Sequence, residues 1–111
     1  MKVADVIEIL KNGSFGSRVY FAYPLRFDVL PVCSVYTINA RELAYGDDTG
    51  LNMYEQIISV DIYTKSKVEE LVDEVIDKIY NLKSARLFAR RDLAEEDGIF
   101  HINLEFLIGG V

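Results

Sequence analysis

The sequence predicts an α+β domain: a single, mostly antiparallel sheet of about four to five strands, one long amphipathic helix packed on it, and a short N-terminal helix. Three stretches carry that prediction. Ile58, Val60 and Ile62 alternate with Ser59, Asp61 and Tyr63, the period of a half-buried strand. The period then changes: Val68, Leu71, Val72, Val75, Ile76, Ile79 and Leu82 form one helical stripe, with Glu69, Glu70, Asp73, Glu74, Asp77 and Lys78 on the opposite face. Finally Phe100, Ile102, Leu104, Phe106 and Ile108 alternate with His101, Asn103 and Glu105, which places one face of a strand in the core.

The remaining elements follow in chain order. Val3, Val6, Ile7 and Leu10 recur at helical spacing, and Asn12-Gly13 offers a left-handed residue to end a helix at about 3–12. Ser14 to Ser17 reads as a small flexible link, a hinge. Residues 18–23 are β-branched and aromatic and predict a first strand closed by Pro24. Val32 to Ile38 predicts a second strand, apolar on both faces and so covered on both. A long loop is expected over about 39–52, with Asp47-Asp48-Thr49-Gly50 as its turn. Ser66 and Glu69 have capping-box spacing, which sets the start of the long helix near Lys67, and Glu74 and Lys78 are spaced to pair across one turn. Ser84 to Leu93 predicts a strand with Leu87, Ala89 and Leu93 on one parity; Asp97-Gly98 then turns the chain back.

Composition bounds the function. The chain has 111 residues, the length of one domain, and half are hydrophobic, ample for one core. The formal charge of −6 argues against autonomous nucleic-acid binding, which needs a basic stripe. The single cysteine, Cys33, excludes an intramolecular disulfide and fits a reducing cytosol. Asp5 and Glu8 interrupt the apolar residues of the N-terminus, so no signal peptide is expected, and no apolar run approaches membrane-spanning length. A soluble, unprocessed protein is the expectation.

No catalytic constellation emerges. One histidine, His101, cannot supply a two-histidine metal site, and nothing in the sequence places it beside Cys33. Asp47-Asp48 and Glu95-Glu96-Asp97 do not match a calcium loop, and Gly13-Ser14-Phe15-Gly16-Ser17 lacks the lysine of a phosphate-binding loop. We therefore expect no enzyme activity, no cofactor and no metal. Of the seven tyrosines and six phenylalanines some must be core; Tyr36, Tyr45, Tyr54 and Tyr63 border loops or polar faces, where an aromatic side chain serves either the core or a partner interface. The candidate interface residues are Tyr36, Arg41, Tyr45, Asp47, Asp48, Tyr54, Tyr63, Arg86, Arg90, Arg91 and His101.

The second half of the chain adds a resemblance. The run Tyr54-Glu55-Gln56-Ile57-Ile58-Ser59-Val60-Asp61-Ile62-Tyr63-Thr64 leads into the helix Val68 to Tyr80. Leu87-Phe88-Ala89-Arg90-Arg91-Asp92-Leu93, Glu95-Glu96-Asp97-Gly98-Ile99-Phe100-His101 and the last strand follow. With Pro31-Val32-Cys33-Ser34-Val35-Tyr36 and Tyr45-Gly46-Asp47-Asp48 upstream, this resembles the tail-terminator and tail-completion proteins of long-tailed bacteriophages and prophages, over about residues 31–108. The resemblance implies a virion structural protein without cofactor or chemistry. It would be a subunit of a ring, usually hexameric, that caps the tail tube, joins the tail to the head-closure connector and lets DNA pass through its lumen. Its place would be the virion tail or neck, and the host cytoplasm during assembly. The alternatives are another phage neck or tail component of the same fold, or a small cytosolic α+β protein-binding module.

Overall fold

The computed structural model describes residues 3–23, 29–38, 56–82, 85–93 and 96–108. The loop expected over 39–52 lies outside them. The elements are α1 (Val3–Leu10), β1 (Val19–Phe21), β2 (Val32–Ile38), β3 (Gln56–Thr64), α2 (Val68–Tyr80), β4 (Ala85–Asp92) and β5 (Phe100–Ile108). The five strands form one sheet in the order β1-β2-β3-β5-β4. β1 runs parallel to β2, and the other three neighbouring pairs are antiparallel, so the sheet is mixed. The helix expected to be long is α2, at 13 residues; that is about 20 Å, an ordinary helix.

Both helices contribute to one hydrophobic core. Val6 and Leu10 of α1 and Leu71, Val72, Val75 and Ile79 of α2 are buried against Cys33 and Val35, Ile58, Val60 and Ile62, and Ile102, Leu104, Phe106 and Ile108. These strand residues share a face because side chains alternate along each strand and the pairing keeps them in register: Val35 opposes Val60, which opposes Leu104. Val68, Ile76 and Leu82 complete the predicted stripe of α2 as partly buried residues.

Three local expectations are corrected. The link at 14–17 is pinned, not a hinge. Phe15 is fully buried in the core, while Ser14 gives both its N–H and its hydroxyl to the Glu74 carboxylate, at 2.8 and 2.6 Å. Lys78 Nζ donates to the Asn12 carbonyl at 3.2 Å. The described bonds of Glu74 and Lys78 thus tie α2 to the end of α1. Both press against Gly13, where a Cβ would collide with the Glu74 carboxylate; glycine serves close approach there, and the left-handed residue is Gly16 (φ 57°). The capping box does not form either. Lys67 stands before α2 with φ 60° and no side-chain cap, Thr64 Oγ1 engages the Ser66 backbone, and Glu69 turns to Arg90. Last, β4 carries a bulge. Leu87 opposes Phe106 and Ala89 opposes Glu105, so Phe88 is the extra residue and the faces exchange beyond it. Leu87 and Ala89 therefore lie on opposite faces, and Arg90 and Asp92 come to the helix side.

The β4–β5 turn is as expected. Asp97 (φ 55°) and Gly98 (φ 78°) occupy its two central positions, and Glu96 and Ile99 exchange backbone hydrogen bonds at 3.0 and 2.9 Å. Two successive positive φ values are the mark of the tight turn that matches strand twist.

Candidate functional site

The face of the sheet away from the helices collects the polar members of three adjacent strands. On β2 these are Ser34 and Tyr36; on β3, Ser59, Asp61 and Tyr63; on β5, His101, Asn103 and Glu105. The register sets them side by side: Ser34 opposes Asp61, Asp61 opposes Asn103, and Tyr63 opposes His101. Ser34, Ser59, Asp61 and Asn103 are buried, which requires that their polar atoms find partners.

Asn103 is the hub. Its Nδ2 donates to Ser59 Oγ and to Asp61 Oδ1, both at 2.8 Å, and its Oδ1 accepts from Arg91 Nη1 at 3.3 Å. His101 Nε2 lies 3.1 Å from Asp61 Oδ1, and the His101 ring stacks on Tyr63 with centroids 4.2 Å apart. Arg91 also pairs with Glu105 at 3.0 Å. Burial, and then the Asp61 charge, push the Tyr63 phenol up to about 12. The Tyr36 phenol is also raised, by burial first; a hydrogen bond with Ser59 opposes the shift and the Asp61 charge adds to it. Among the described buried side-chain polar atoms, Ser34 Oγ is the one without a hydrogen-bond partner.

Beside this cluster Ala22, Tyr23, Tyr36, Asp61 and Tyr63 line a pocket of about 220 Å³. Its rim is built at a backbone cost. Ala22 has φ 69°, a conformation that non-glycine residues rarely adopt, and the Tyr23 N–H closes back on the Phe21 carbonyl at 2.8 Å. The Ala22 N–H continues the β1–β2 ladder to the Val35 carbonyl at 2.9 Å.

The structure therefore brings together four of the predicted interface residues: Tyr36, Tyr63, Arg91 and His101. Arg86 lies on the same face but at the outer strand, opposite Leu107. Arg90 is on the helix side, where it forms a two-pronged ion pair with Glu69 at 2.7 and 3.0 Å and a second pair with Asp92 at 2.8 Å. Arg41, Tyr45, Asp47, Asp48 and Tyr54 lie outside the described residues. Sequence reasoning did not select Ser34, Asp61 or Asn103. The signal was present as a polar parity on each strand, but only the register shows that the three parities meet.

Cys33 is buried on the helix side, and burial raises its thiol; His101 is on the other face, so the two form no pair. Among the described residues no group of three or more histidine, cysteine or carboxylate side chains could hold a metal ion. The cluster offers a negative charge, hydroxyl groups and aromatic faces, which suit recognition of a cationic or hydrogen-bonding group. No protein-family model matches the chain, and no curated protein matches it.

Proposed function

We propose that this protein is a ring-forming subunit of a phage tail terminator or tail-completion complex, capping the tail tube and joining it to the head connector. The observation that carries the reading is the placement of exposed apolar side chains on both outer strands of the sheet. Phe21 on β1 is 65% exposed, with Tyr23 just beyond it at 81%; Phe88 on β4 is 49% exposed. Single exposed apolar residues are ordinary, but two aromatic edges at opposite ends of one sheet suit head-to-tail contacts, in which one patch meets a different patch on the next copy. The likeness of residues 31–108 to the tail-terminator pattern supports a ring over an open chain. The net charge of −6 suits a lumen that passes DNA without gripping it.

β4 limits how such contacts form. Its bulge at Phe88 and the Leu87 N–H donated to the Tyr80 hydroxyl at 2.9 Å interrupt the strand as a template for another ladder. The contacts therefore run through side chains.

The test is the native mass of the purified protein, alone and mixed with isolated tail tubes. The expected outcome is a discrete ring, formed in solution or at tube ends seen by negative-stain microscopy. A protein that stays monomeric at high concentration and also leaves tube ends bare refutes the proposal.

A further inference from the structure

We propose that the pocket lined by Tyr23, Tyr36, Asp61 and Tyr63 is a receptor for a guanidinium group, and that Arg86 of a second copy of this chain supplies it. The choice of donor rests on the ring reading above; the chemistry of the pocket does not.

The pocket selects a cation by its walls and its floor. Asp61 brings a carboxylate, and three tyrosine rings bring π-faces, the pairing that attracts cations. Burial chiefly raises the Tyr36 and Tyr63 phenols, and the Asp61 charge adds to both. The size, about 220 Å³, is below the usual range of small-molecule pockets and fits the head of one side chain. A guanidinium serves better than an ammonium because it is planar, stacks on aromatic rings and presents five donors to a carboxylate and neighbouring hydroxyls.

Among the described arginines the donor narrows to one; Arg26 and Arg41 lie outside the described residues. Arg18 donates to the Pro31 and Ser14 carbonyls, Arg90 is held by Glu69 and Asp92, and Arg91 by Glu105 and Asn103. Arg86 is exposed on the same face as the pocket, and its side chain makes no hydrogen bond or ion pair to another described residue. It cannot reach the pocket of its own subunit. Arg86 opposes Leu107, which opposes Ile57, four residues along β3 from Asp61. That is about 10 Å across the sheet and about 13 Å along it. Pocket and donor thus lie toward opposite edges, as a head-to-tail contact requires.

Two measurements on the full chain test this. The first is titration with ethylguanidinium chloride, followed by backbone amide NMR, with sodium chloride at equal ionic strength as control. Saturable shifts centred on Ala22, Tyr36, Asp61 and Tyr63 are expected. Tyr23→Ala, at an exposed position that leaves the core intact, should weaken binding roughly fivefold. Shifts no larger than the salt control, or centred elsewhere, overturn the site. The second is native mass of Arg86→Ala and Arg86→Lys. Loss of assembly in the first, with partial retention in the second, supports the donor. Assembly unchanged by Arg86→Ala overturns the donor while the ring reading stands. Saturable ethylguanidinium binding in a protein that never assembles supports the pocket and removes the ring reading.

Discussion

Cys33 and Ser34 are neighbours in the chain and occupy opposite worlds. A step of one residue along β2 crosses the sheet, from the dry core under the helices to the polar cluster on the other face. The Cys33 thiol is pushed up by burial and further by the Glu74 and Asp61 charges, so it stays protonated and shielded. We expect an aromatic disulfide reagent to label it slowly in the native protein and rapidly in denaturant; fast native labelling contradicts the burial. Tyr63 gives a pH test. Its folded value of about 12 exceeds the ordinary tyrosine value of about 10. Its contribution to stability is therefore complete below about pH 10 and is lost as pH rises toward 12, because the unfolded chain releases a proton that the folded one keeps. Urea midpoints should fall over that window, and Tyr63→Phe should flatten the fall. Equal slopes for the two proteins count against the assignment. The burial of Cys33 was legible from its apolar stretch. The environment of Ser34 was not, because it reads as an ordinary strand serine until Asp61 is placed opposite it.

The elements divide by how local their causes are. α2, β3 and β5 were plain in the sequence because a period of 3.6 or 2 is written directly in the order of residues. The Asp97-Gly98 turn was plain because both of its positions need positive φ. What was not legible is what another element imposes. Glu69 leaves the capping box because Arg90 offers two charge-assisted bonds, and Arg90 is there because the Phe88 bulge turned it to the helix side. The link between α1 and β1 looked mobile from its glycines and serines, yet Phe15 inserts into the core and Glu74 holds Ser14. Phe15→Ala should cost about 3–5 kcal/mol, the range for emptying a buried aromatic site, read as a lowered urea midpoint with unchanged slope. A cost below about 1 kcal/mol shows that the link does not anchor α1.

At the scale of the whole molecule, the α+β class was predicted, and the mixed character of the sheet was not. Hairpin signals reveal antiparallel neighbours; the parallel β1–β2 pair has no turn to announce it. The candidate site was legible only as separate residues, since Tyr36, Tyr63 and His101 come from three strands and meet through register. Among the described residues no helix is long and apolar enough to cross a membrane. The strand order also has a consequence in time. Gln56 and Ile108 are partners in the β3–β5 ladder yet lie nearly half the chain apart in sequence. The middle of the sheet can close only after a large loop has lost its freedom, which slows folding relative to topologies built from local contacts. The β4–β5 hairpin, joined by its two-residue turn, forms within microseconds. We expect β3 to dock after that hairpin forms, and the rate of docking to set how long its apolar side chains stand open to aggregation.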